Sequence, residues 1–302
     1  METYGVGQRR ACELIGIARS SFRYCSKKKD GELTQQLVQL AQEKPRYGYR
    51  RLRLLLVRAG QQLNHKRLYR IYRAAGLSIK RRRRRKQLVR SGPPARTLIT
   101  SLNQQWAIDF VHDVLANGRK FRIFSVIEAH TRECLGLEVD TSFPSQRVTR
   151  ILDELIALYG KPESIRLDNG PEFTSRHFLA WARERGIELV HIAPGKPVQN
   201  ALVESFNGRL RDECLNVNWF ANLLDARRKI GAWRDEYNHE RPPSSLADLT
   251  PVEFRTRALA CAAAAVKGLR ASHTADSHSA ELRELEKQLA APLTAVLASA
   301  SG

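Results

Sequence analysis

The sequence predicts an α/β domain preceded by a small, basic, all-helical module, and three observations carry that reading. Charge is segregated along the chain. Residues 1–100 hold 26 Lys+Arg against 5 Asp+Glu, whereas residues 101–302 hold 25 against 26. The apolar periodicity changes from helical to strand-like near Asn103. Between the two regimes lie an unbroken basic run at 80–86 and the Pro93-Pro94 pair, which read as a linker.

Residues 1–30 read as a partial helix-turn-helix-like segment: one helix, a turn at Gly16, and Ser20 as cap of a second short helix. Residues 31–80 read as a helical DNA-binding module of three helices. Leu33, Leu37, Val38 and Leu40 face inward on the first, Leu52, Leu55 and Leu56 on the second, Leu68, Ile71 and Tyr72 on the third. Gly60 and Gly76 stand where helices stop. Residues 81–102 form the basic linker. The domain at 103–255 opens with strands at 106–111, 121–128 and 133–139, with Asn117-Gly118 marking the first hairpin. A helix at 146–159, a strand at 164–168, a helix at 174–185 and a strand at 187–192 follow. A helix carrying Glu204 and another near 222–237 come last. Trp106 and Phe110 read as core residues. Residues 256–302 are an Ala-rich tail in which Leu282, Leu285, Leu289 and Leu293 trace a stripe interrupted at Pro292. His273, Asp276 and His278 lie close together there, but a Ser/Ala-rich segment has nothing to fix a metal geometry.

A sequence pI of about 10.3, with the excess charge in the first third, is the electrostatic footprint of a nucleic-acid-binding protein. The five cysteines (Cys12, Cys25, Cys134, Cys214, Cys261) are odd in number and form no C-x-x-C pair, which argues against a disulfide framework or a zinc ribbon. No apolar run is long enough to span a membrane, and no signal-peptide pattern opens the chain, so a cytoplasmic protein at the bacterial nucleoid is expected.

Asp109, Asp168 and Glu204 are the candidate catalytic and metal-binding residues. Asp109 sits inside the apolar run Trp106-Ala107-Ile108-Asp109-Phe110-Val111, and Asp168 ends a strand just before Asn169-Gly170-Pro171. Glu204 lies on a helix whose apolar face is Val203, Phe206 and Leu210, with Asn200, Glu204, Gly208 and Arg211 along the adjacent stripe. Two strand aspartates and a helical glutamate can converge on divalent cations, the minimum equipment for two-metal phosphoryl transfer.

The text around these acids is more specific than their spacing. Leu167-Asp168-Asn169-Gly170-Pro171-Glu172-Phe173 and Asn200-Ala201-Leu202-Val203-Glu204-Ser205-Phe206-Asn207-Gly208 resemble the catalytic segments of DDE transposases and retroviral-type integrases. The likeness is strongest to the second-frame (OrfB) protein of the IS-three family of insertion sequences. It extends through Pro45-Arg46-Tyr47-Gly48-Tyr49-Arg50, Asn64-His65-Lys66-Arg67, Arg211-Asp212-Glu213-Cys214 and Tyr237-Asn238-His239-Glu240-Arg241-Pro242. The resemblance implies an RNase H-like integrase catalytic core in which adjacent first and fourth strands bring Asp109 and Asp168 together. It implies metal-dependent 3′-end cleavage and strand transfer with two Mg²⁺, for which Mn²⁺ can substitute, and Asp109 bridging both ions. The expected partners are double-stranded DNA (element ends and target), further copies of the chain on DNA, and an upstream-frame fusion partner. Candidate DNA contacts are Arg211, Lys196, Asn200, Asn169, Arg46, Tyr47, Tyr49, Arg50, Lys66 and Arg67, with Arg81, Arg82, Arg83, Arg84 and Arg85 of the linker.

Two departures from the family pattern stand out: Glu128 where relatives commonly carry Asp, and Pro243 where a histidine is usual. The competing readings are an inactive DNA-binding regulator or remnant of such an element, and a retroviral-type integrase. The latter would require an N-terminal His/Cys zinc module, and residues 1–60 contain no histidine.

Overall fold

The computed structural model describes residues 7–24, 30–79, 99–192 and 201–272. The chain divides into two compact units, residues 1–82 and 83–302.

In the first unit, α1 (Gln8–Ile15) ends at Gly16, whose φ of 68° lets the Ile17 amide turn back onto the Cys12 carbonyl. Helix α2 (Arg19–Phe22) starts after Ala18, which offers no side-chain cap; the expected cap at Ser20 instead lies inside the helix. Helices α3 (Gly31–Glu43), α4 (Tyr49–Arg58) and α5 (His65–Ala74) pack around Leu33, Leu37, Leu52, Leu56, Leu68, Ile71 and Tyr72. Leu40 and Leu55 lean on that cluster, whereas Val38 is only half-buried. Asn64 caps α5 by accepting from the Lys66 amide at 2.9 Å.

The second unit is built on a five-stranded sheet in the order β3-β2-β1-β4-β5. Strands β1 (Gln105–Val114), β2 (Lys120–Glu128) and β3 (Cys134–Asp140) form an antiparallel meander. Strands β4 (Ser164–Leu167) and β5 (Glu188–His191) extend it in parallel from β1. Helices α6 (Ser145–Tyr159) and α7 (Arg176–Glu184) supply the crossovers. After β5 come α8 (Ala201–Leu210), a π turn (Arg211–Leu215), α9 (Leu223–His239) and α10 (Pro251–Ser272). This is the RNase H-like arrangement. Helix α10 runs through residue 256 without a break, and Leu259 on it is buried.

Alternation along the strands gives the sheet two apolar faces. One face, with Ala107, Val111, Phe121, Ile123 and Val139, takes Val203, Phe206 and Leu210 of α8 and Ile230, Trp233 and Tyr237 of α9. The other, with Trp106, Ile108, Phe124 and Val126, takes Val148, Leu152 and Leu155 of α6 and Phe178 and Trp181 of α7. A Cβ at Gly136 would stand 2.8 Å from Leu155 Cδ1, so the Leu155 side chain of α6 fills the space that the glycine leaves on β3. Arg241, almost fully buried over the Tyr237 ring, clamps Glu213 of the π turn with two hydrogen bonds of 2.8 Å.

Cys12, Cys134 and Cys214 are buried packing residues, and burial pushes the Cys214 thiol up to about 12.

Candidate active site

The β1–β4 ladder ends at Ala107 opposite Arg166, so both strands open toward the same end of the sheet. Such a carboxyl end of parallel strands is where α/β sheets place ligands. Asp109 lies two residues beyond that last pair, and Asp168 follows Leu167 directly. Asp109 shares the face of Ala107 and Val111 and is therefore aimed beneath α8.

Helix α8 supplies the third acid. With Val203, Phe206 and Leu210 fixed in the core, Glu204 and Asn207 fall three residues apart on the neighbouring stripe. Asn207 donates to Asp109 Oδ2 at 2.8 Å, and the Phe110 amide donates to Oδ1 at 2.8 Å. Ser125, buried opposite Asp109 in the β1–β2 register, places Oγ 3.1 Å from the Asp109 carbonyl and 3.2 Å from Asn207 Oδ1. Asp109 is thus held by three elements.

Burial pushes the Asp109 carboxyl up to about 6. Donation from Phe110 and Asn207 opposes the rise, while the negative charges of Asp168 and Glu204 reinforce it. The structure therefore brings all three acids within electrostatic reach. It does not draw them into a closed cage: among the described residues, no group of three His, Cys, Asp or Glu is arranged to hold an ion. Asp168 and Glu204 are both exposed. An all-oxygen donor set whose central member is held toward protonation by burial and then by like charges fits a hard divalent cation, which would offset that penalty.

Asp168 accepts from the Gly170 amide at 3.1 Å, and Asn169 donates its side-chain amide to the Ile192 carbonyl at 3.3 Å, tying the turn to β5. Arg211 opens the π turn two helical turns beyond Glu204 and is exposed. Burial first, then the charges of Arg122 and Arg211 among others, hold the His112 imidazole below its usual range. That places Arg211 on the His112 side of the site. Lys196, Asn200 and the linker arginines Arg81 to Arg85 fall outside the described residues, as do His273, Asp276, His278 and the leucine stripe of the tail.

In the helical unit, Arg46, Arg50, Lys66 and Arg67 are exposed; Arg67 and Arg70 both pair with Asp30, at 2.8 and 2.6 Å. Of the two tyrosines offered as DNA contacts, at least one of which core packing is expected to claim, Tyr47 is the core residue. It is 4% exposed because its ring fills the cluster of Leu37 and Leu52 just ahead of α4. Tyr49 is half-buried, with its ring tilted against Tyr69 at 4.8 Å. Glu128 also takes no part in the site. It is buried at the β2–β3 turn, where Oε2 accepts from the Thr131 amide at 2.6 Å and the Thr131 hydroxyl at 2.8 Å.

Sequence reasoning missed Asn207 and Ser125. Asn207 was within reach, since the spacing that puts Glu204 beside the core stripe puts Asn207 there too. Ser125 was not, because only the strand register sets it against Asp109.

Models described as integrase core domain match residues 100–197 and 185–251, and one described as an HTH-like domain matches residues 28–86. An uncharacterized protein of insertion element IS407 from Burkholderia multivorans is 44% identical over 279 residues, covering 89% of this chain and 98% of that one. The putative transposase InsK of insertion element IS150 from Escherichia coli is 28% identical over 257 residues, 80% of this chain and 90% of that one. Among solved structures, the HTLV-2 integrase catalytic core domain in complex with magnesium aligns at a TM-score of 0.41 and 20% identity over 51% of this chain and 97% of that one. Among the described residues, no helix is long and apolar enough to cross a membrane. With an integrase core, an HTH-like unit and a near full-length insertion-element relative, the chain belongs to the IS-three family of insertion-sequence transposases.

Proposed function

We propose that this chain cleaves the 3′ ends of its insertion element and joins them to target DNA by metal-dependent phosphoryl transfer. The observation that carries this is Asp109: a carboxylate sunk in the sheet, fixed by donors from two sides and raised to about 6 with Asp168 and Glu204 as like-charged neighbours. A cost of that kind, with no structural return, marks a functional group.

Asp109, Asp168 and Glu204 would hold Mg²⁺, two ions by the family resemblance, with Mn²⁺ able to substitute. A metal held there would supply activation of water or a DNA 3′-OH for in-line attack and would offset charge on the leaving oxygen. The protein's own contribution is positional. Asn207 and the Phe110 amide fix the Asp109 oxygens, so little reorganisation is needed when charge develops. Arg211, exposed two turns past Glu204, is placed to take a substrate phosphate. The basic residues that precede the core supply affinity for the duplex without choosing its sequence, and further copies of the chain assemble on the paired ends.

The test is strand transfer by the purified chain with Mg²⁺ and a duplex bearing the element's terminal repeats. Glu204→Gln keeps size and hydrogen-bonding capacity but removes charge. It should abolish cleavage and joining while leaving DNA affinity near wild type. Joining by Glu204→Gln at the wild-type rate would remove Glu204 from the site, and no joining by the wild-type chain would make a DNA-binding regulator the better reading.

A further inference from the structure

One buried charge on β2 has no part in the scheme above. Arg122 ion-pairs with Glu172, and both side chains are largely withdrawn from solvent, at 22% and 14% exposure. Its guanidinium also lies 4.1 Å from the centre of the Phe110 ring. Phe110 follows Asp109 in β1 and stacks on Phe173 at 5.3 Å with 17° between the planes. Glu172 belongs to the turn that begins at Asp168. From one strand, Arg122 thus grips both the neighbour of the first aspartate and the turn that carries the second.

The turn is tight enough to transmit that grip. Gly170 donates to Asp168 Oδ1 at 3.1 Å, and a Cβ at Gly170 would stand 3.1 Å from Asp168 Oδ1 and 3.2 Å from Glu172 Oε2. Both carboxylates border the space that a side chain at Gly170 would fill, so Asp168 and Glu172 pack around the same glycine. Burial pushes the Glu172 carboxyl up, but donation by Arg122 and by its own backbone amide, with the charges of Arg122 and His112, together outweigh it and hold the group below its usual range.

We propose that Arg122 and Glu172 are positioning residues, a strut from β2 that sets Asp168 at its distance from Asp109. The proposal rests on the catalytic reading for its purpose, though not for its test. Amide hydrogen exchange on the metal-free, DNA-free full chain reads the turn directly. Arg122→Gln and Glu172→Gln should each speed exchange of the Gly170 amide at least tenfold while the β1–β2 ladder stays protected. The double variant should be no faster than Arg122→Gln alone, since that substitution already removes the one interaction that Glu172→Gln removes. In joining assays, kcat should fall about tenfold with KM for DNA nearly unchanged. Unchanged Gly170 exchange in both folded single variants, or additive effects in the double, would overturn the strut. The catalytic reading is judged separately by Glu204→Gln, so failure of one is not mistaken for failure of the other.

Discussion

Two sets of carboxylates lie toward opposite ends of the parallel β1–β4 ladder, and their treatment differs. At the β2–β3 turn, Glu128 and Glu133 are 2% and 3% exposed. Burial, reinforced by the charge of Glu128, pushes the Glu133 carboxyl up, while Arg255 of α10 at 3.5 Å and the charge of Arg234 oppose the rise. At the other end, the charged neighbours acting most on Asp109 are Asp168 and Glu204, which make its ionisation harder. Deep burial by itself therefore does not mark a functional acid. The buried acid with cations beside it is part of the architecture; the less buried one whose charged neighbours are both acids is the one proposed above as a metal ligand.

The contrast is most open to attack at Arg255. Arg255→Ala leaves Glu133 buried beside Glu128 without its nearest counter-charge and should destabilise the chain by about 3 kcal/mol. Urea unfolding measures this, and joining per folded molecule should stay at wild type. A joining defect beyond the unfolded fraction would show that both acid sets serve the chemistry.

Asn207→Ala probes the other end. It removes a donor that favours ionised Asp109, so the carboxyl should rise further, and joining at pH 7 should slow by about ten- to a hundredfold, or 1.4–2.7 kcal/mol. The pH–rate profile should move to higher pH; a uniform drop at every pH would mean that Asn207 acts through packing alone.

The sign of the metal-free pH dependence follows from the same residue. The folded value of about 6 lies above the ordinary 3.8, so the stability contributed by protonated Asp109 is full below about pH 4 and lost as pH rises through about 6. The loss is on the order of 1–3 kcal/mol at most, since Asp109 is not fully buried. Asp109→Asn should flatten the decline in melting temperature between pH 4 and pH 7. An identical decline in variant and wild type would detach the raised value from the fold.

Glu128→Gln should have the smallest effect. Among the described residues Glu128 Oε1 has no hydrogen-bond partner, and Oε2 takes both Thr131 donors, so the amide loses little. Stability should shift by less than about 1 kcal/mol, with joining unaltered. A large loss of joining would return Glu128 to the site.

The fold was legible where burial is continuous. The run from Trp106 to Val111 and the stripe of Val203, Phe206 and Leu210 each announced an element whose apolar face is fully used. It was less legible where polar residues extend an element: β1 runs on through His112, Asp113 and Val114 because β2 is there to pair with them. Tyr47 misled because arginines flank it, yet Arg51 covers its ring at 5.2 Å as part of the packing. The three acids were legible from local text, whereas Ser125, Arg122 and Glu172 matter only through partners 16 to 82 residues distant in sequence.

The π turn at Arg211–Leu215 carries a consequence for how the chain tolerates length change. A π turn holds about one residue more than an α turn, so deleting one residue there would restore ordinary winding locally. Everything beyond would then arrive one position early. Glu213 would leave its seat against Arg241, and the Phe220 carbonyl would miss the Ala116 amide it now meets at 2.8 Å. That extra residue works as a spacer, matching the phase of the helix that carries Glu204 to the phase of the helix that locks it down.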